Sequence, residues 1–91
     1  MTKIKVGIIF GGDSSEHNES IRAARILHRD ALSKLEGKYS FRYFYLTKTH
    51  EWASRSDSER MIHKEQISQF KPDPHRLNDL QRVDVIYSTM M

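Results

Sequence analysis

A chain of ninety-one residues suffices for one compact domain and leaves no room for a second, catalytic one. Hydrophobic residues at 37% and charged residues at 30% describe a soluble globular fold and exclude both a disordered and a membrane-embedded chain. The net charge of +3 includes no long basic run, and the absence of cysteine rules out disulfides, thiolate catalysis and cysteine-ligated zinc.

The opening, Met1-Thr2-Lys3-Ile4-Lys5, leads directly into a strand pattern and not into the apolar core of a signal peptide, so the expected location is the cytoplasm. The longest apolar run, Val6 to Phe10, has the length of a strand and falls well short of the roughly 20 residues that cross a bilayer. Residues 3–10, polar and apolar in alternation and then continuously apolar, read as a strand buried on both faces of a parallel sheet. Gly11-Gly12-Asp13-Ser14-Ser15 supplies a turn, and a helix follows with Ile21, Ala24, His28, Ala31, Leu32 and Leu35 on one stripe. Ile26 lies off that stripe, and Gly37 stands where a helix is commonly capped. Arg22, Arg25, His28 and Arg29 read as a solvated basic face and not as a nucleic-acid surface.

Residues 40–46, rich in aromatics, form the second strand, and strand, helix, strand together predict a βαβ unit with parallel strands. Ser56-Asp57-Ser58-Glu59 has capping-box spacing and predicts a helix from there towards Phe70, although Met61, Ile62, Ile67 and Phe70 share no face. Pro72 and Pro74 break the chain, a short helical turn is expected over His75 to Gln81, and Val83 to Tyr87 reads as a third strand. The expected fold is a small three-layer, Rossmann-like α/β domain with a mainly parallel sheet.

The densest chemistry lies in residues 10–20, FGGDSSEHNES, between the first strand and the first helix. Paired glycines admit a close ligand, and a helix amino terminus offers unpaired N–H groups and partial positive charge, which suits an anion or carboxylate. The Lys of a Walker A loop and the spaced glycines of a dinucleotide fingerprint are both missing. A plain strand-to-helix turn capped by Ser14 or Ser15 accounts for the same residues. Glu16 either complements the helix dipole or receives the ammonium of an amino-acid ligand. Glu59 and His63 have the i, i+4 spacing of helical metal ligands, but two candidates make no site, and no metal is expected. Phe41, Tyr43, Phe44, Tyr45 and Trp52 are expected to pack in a core and not to stack on bases.

FGGDSSEHNESI resembles the opening signature of D-alanine-D-alanine ligases, in which a strand leads to Gly-Gly, then Ser, Glu, His or Arg, two further residues, Ser and an aliphatic residue. Thr47-Lys48-Thr49-His50-Glu51-Trp52 is similar to that family's Thr-Lys-x-Gly-x-Trp turn, and Val83-Asp84-Val85-Ile86-Tyr87 to the strand before its Leu-His-Gly loop. The resemblance implies that residues 1–91 are the amino-terminal substrate domain of an ATP-grasp ligase. Such a ligase phosphorylates one D-alanine and joins it to another for cell-wall peptidoglycan. It also implies that Glu16 holds the first ammonium, that Gly11, Gly12 and Ser14 shape the loop, and that Ser20 lies near it without a firm role.

ATP and magnesium belong to the full-length family, and the resemblance places none of their ligands in this chain. The implied partners are an amino-acid substrate and an ATP-grasp domain in cis or in trans, with a homodimer as a further option. Neither nucleic acid nor membrane is implied. A non-catalytic binding or interaction module of the same ancestry is the alternative reading. The sequence departs from the family at Glu19, where Val usually faces the substrate methyl; Glu16 and Glu19 together would favour a cationic amino acid. It departs again at His50, in a Gly position that His tolerates, and at Met91, which aligns with the His of Leu-His-Gly.

Overall fold

A computed structural model of the chain describes residues 3–12, 15, 17–30, 32–35, 37–64 and 71–89. Three strands, β1 (Ile4–Gly11), β2 (Tyr39–Leu46) and β3 (Val85–Ser88), form one parallel sheet in the order β2-β1-β3. The apolar run Val6–Phe10 thus occupies the central strand, where both edges are paired and both faces are covered, as its continuous hydrophobicity requires.

The period of two along each strand separates the sheet's faces. Val6, Ile8 and Phe10 of β1 join Tyr43 and Tyr45 of β2 on one face, which is covered by Ile21 and Ala24 of α1 (His17–Asp30) and Ile62 of α2 (Arg55–Ile62). The opposite face carries Gly7, Ile9 and Phe44. A Cβ on Gly7 would lie 3.2 Å from both Leu80 and Val83, so the missing side chain lets α3 (Arg76–Leu80) and the segment after it close down on the sheet. Helices, sheet and α3 make the three layers expected of a βαβ sequence.

Several expectations need correction. The first helix stops at Asp30 and is followed by a 3-10 turn over Leu32–Leu35; Leu35 is exposed, and Gly37 does not adopt the left-handed conformation of a helix cap. Ala31 and the Leu32 side chain lie outside the described residues. Ser54, not Ser56, caps α2: its Oγ accepts the Asp57 N–H at 3.3 Å. The same helix ends at Ile62, well short of Phe70. His63 N–H still reaches the Glu59 carbonyl, but Lys64 turns left-handed at φ 60° and breaks the helical path. Ile67 and Phe70 lie outside the described residues. No helix among the described residues is long and apolar enough to cross a membrane.

Candidate functional site

The carboxyl ends of β1 and β2 and the segment just beyond β3 converge beside the amino end of α1. Gly11 and Gly12 both have positive φ, 96° and 93°. A side chain at Gly11 would collide with the Leu46 carbonyl oxygen and come within 2.8 Å of the Tyr45 ring, so only glycine fits the space and the dihedral. Gly12 N–H donates to Leu46 O at 2.8 Å, turning the chain off the sheet edge.

Two buried side chains hold this turn. Ser20, fully buried on α1, accepts the Gly11 N–H at 3.0 Å and shares a 3.0 Å hydrogen bond with the Thr89 hydroxyl. Thr89 in turn donates its N–H to Ile9 O and its hydroxyl to Ser20 O, both at 3.0 Å, so β1, α1 and the end of β3 are tied at one point. His17, also buried, bonds Gly12 O through Nδ1 and the Tyr45 hydroxyl through Nε2 at 2.8 Å. Since a carbonyl only accepts, Nδ1 is the donor to Gly12 O, and the tautomer with its proton there leaves Nε2 to accept the Tyr45 O–H. Burial pushes the Tyr45 phenol up in pKa, against a smaller opposing pull from Arg25.

Of the residues singled out from sequence, Gly11 and Gly12 form this turn. Ser14 and Glu16 lie outside the described residues. Glu19 is exposed on α1 with its carboxylate 3.6 Å from Arg22, and no hydrogen bond links it to the Gly-Gly turn. Ser20, assigned no firm role beforehand, is the junction of the network. Tyr45 packs in the core as expected of it, but its hydroxyl's place in the site, like that of Thr89, has no sequence signal, since only the fold brings the two to residues 28 and 69 positions earlier in the chain. His17 stood within the loop motif without a role; its pairing with a backbone carbonyl explains why an imidazole is placed there.

The Thr47–Trp52 turn follows β2 beside the same loop. His50 takes φ 66°, the geometry expected at a position where glycine is common. Thr47 closes the turn, its N–H donating to Glu51 O at 2.9 Å and its Oγ1 accepting the Glu51 N–H at 3.1 Å. Met91 lies outside the described residues. Among the described residues, no three His, Asp or Glu side chains converge as a metal site would require.

No protein-family model matches the chain. A D-alanine-D-alanine ligase of Chloroherpeton thalassium is 39% identical over 62 residues, which is 68% of this chain and 16% of that protein. The D-alanine-D-alanine ligase of Lactobacillus acidophilus is 31% identical over 81 residues, 89% of this chain and 21% of its own length. The chain therefore spans about a fifth or less of these relatives. Among solved structures, the VanG D-Ala:D-Ser ligase of Enterococcus faecalis shares the fold with a TM-score of 0.57 at 20% identity, over 78% of this chain and 21% of that one.

Proposed function

Because the chain belongs to the D-alanine-D-alanine ligase family, we propose that it is the amino-terminal, substrate-holding part of an ATP-dependent carboxylate-amine ligase of cell-wall synthesis. The observation that carries this reading is the Gly11–Gly12 turn, fixed by Ser20 and His17 at the carboxyl edge of a parallel sheet, where α/β folds bind their ligands. In this reading Gly11, Gly12 and Ser14 shape the loop, and Glu16 receives the α-ammonium of the first amino acid in a charge-assisted hydrogen bond. Ser20 and His17 position the loop without touching substrate. The setting is the cytoplasm.

The described residues do not fit ATP or magnesium. The Gly11 and Gly12 N–H groups, the obvious donors for a phosphate, are already engaged by Ser20 Oγ and Leu46 O, and among the described residues no three carboxylate or imidazole side chains group to hold a cation. Nucleotide and metal binding would fall to the remainder of the ligase, joined in cis or supplied in trans.

The test is a titration of the chain with D-alanine, followed by the backbone amide resonances of Gly11, Gly12, His17 and Ser20. Saturable shifts are expected, weaker with L-alanine and lost in Glu16→Gln. No saturation with D-alanine by ~10 mM, tenfold above the usual KM range, would overturn substrate holding and favour an interaction module of the same ancestry.

A further inference from the structure

A second cluster of charge lies on the face of the sheet away from α1. Lys5 of β1, Arg42 of β2, Arg55 of α2, Arg76 of α3 and Arg82 line a cleft of about 180 Å³, with Asp79 as the only carboxylate on its wall among the described residues. Five cations against one anion leave the cleft at +4, more than the +3 of the entire chain.

Arg76 is the built element of this cleft. It is 2% exposed, although α3 offers Leu77 at 49% exposure as the ordinary candidate for burial. Its guanidinium stacks 4.0 Å over the Phe44 ring, donates through Nη2 to Tyr43 O at 2.6 Å and through Nη1 to Asp79 at 2.8 Å. Its Nε–H has no acceptor and is the only such buried side-chain atom among the described residues. An unpaired donor on a buried charge is expensive, and proteins keep one where a ligand or water completes it. The Lys5 ammonium and the Arg82 guanidinium on the same wall likewise have no partner among the described residues. Among the described residues Arg42 bonds the neutral Ser40 hydroxyl and Phe41 O, and Arg55 approaches Glu59 at 3.9 Å.

We propose that this cleft is a binding site for a small tetrahedral oxyanion: inorganic phosphate or the terminal phosphoryl group of a phosphomonoester. Its volume lies below the roughly 300–1,000 Å³ of sites that enclose whole drug-sized ligands, which limits the occupant to the anionic head. Guanidinium groups present planar, forked donors suited to phosphate oxygens, and three of the four here reach one small cleft from separate elements instead of running along a groove. That grouping, with the buried Phe44 as the only aromatic on the cleft wall among the described residues, favours a single phosphoryl group over nucleic acid.

The experiment is a nuclear magnetic resonance titration of the chain with sodium phosphate at constant ionic strength, reading the backbone amides of Lys5, Arg42 and Arg82 and the Arg76 Nε–H. Saturable shifts are expected in all four, with Lys5→Gln and Arg82→Gln each weakening binding by about tenfold. Both variants alter exposed positions, and far-ultraviolet circular dichroism verifies their fold. Arg22→Gln removes the same charge from α1, outside the cleft, and is expected to leave the affinity unchanged. Equal affinity for methyl phosphate assigns the free oxyanion head, and tighter binding of the ester assigns a phosphomonoester; both support the site. Non-saturating shifts shared with chloride, equal weakening by Arg22→Gln, or affinity that grows with oligonucleotide length would overturn it.

Discussion

Replacing Gly11 with alanine tests the geometry of the candidate site most directly. At φ 96° an L-residue is held in a sparsely populated region, at a cost of about 1–3 kcal/mol. The added Cβ also meets the Leu46 carbonyl oxygen and lies 2.8 Å from the Tyr45 ring, neither of which is a flexible side-chain tip, and such overpacking costs about 1–3 kcal/mol more. Moving Leu46 aside disturbs its hydrogen bond from Gly12 as well. The sum, about 2–6 kcal/mol, is a large share of the roughly 5–14 kcal/mol expected for a domain of this size. With a urea dependence of about 2 kcal/mol/M, the unfolding midpoint should fall by ~1–3 M. Gly37→Ala serves as the internal control: Gly37 lacks positive φ and has nothing within 4 Å of where a Cβ would stand, so alanine should stabilise by about 0.4–1 kcal/mol. A loss below ~1 kcal/mol at Gly11, or equal losses at both glycines, would refute the reasoning.

Ser20→Ala leaves the Gly11 N–H without an acceptor in a buried place and should cost about 1–3 kcal/mol, read as a lower unfolding midpoint and faster hydrogen exchange at Gly11. Tyr45 gives a pH signature: its raised folded-state pKa means that the native state keeps a proton the unfolded chain releases. Its contribution is therefore whole below the usual tyrosine value of 10.0 and lost as pH climbs from there through the folded value, a slope that Tyr45→Phe should remove from alkaline unfolding curves. Glu19→Val breaks only an exposed ion pair with Arg22 and should change stability by less than ~1 kcal/mol. In a reconstituted ligase it also decides whether Glu19 reads the substrate, through competition between D-alanine and a basic amino acid; unchanged preference for D-alanine in both proteins would show that it does not.

Local pattern carried the sheet but not the contacts made across it. The apolar run at Val6–Phe10, the aromatic second strand and the helix between them predict a parallel βαβ unit, and the parallel pairing of β1 with β2 follows that pattern residue by residue. The double glycine and His50 announced their positive φ because few other sequences tolerate it. The capping-box spacing at Ser56 placed the start of α2 two residues late, because Ser54 precedes the acidic Asp57 by the same three positions as Ser56 precedes Glu59. The hydrogen bond from Ser54 N–H to Lys71 O, 17 positions along the chain, fixes the earlier cap. Burial of Arg76 in place of Leu77 has no local signal, since it depends on the Phe44 ring and the Tyr43 carbonyl of a distant strand. The His17–Tyr45 link is invisible for the same reason: a tyrosine in a strand announces its ring, not where its hydroxyl will end.

The placement of β1 at the centre of the sheet bears on how the chain is made. The most apolar strand is made before either of its partners, β2 beginning at Tyr39 and β3 only at Val85. Until β3 is made, α1 and β2 can cover and pair β1 on one side only, and its second edge stays open, a short β-prone segment of the kind that seeds intermolecular pairing. Contacts so far apart in sequence also close slowly. Loss of yield during expression should therefore concentrate in intermediates that lack β3, and a chaperone that shields the nascent first strand should raise the soluble fraction more than lowering the temperature after synthesis is complete.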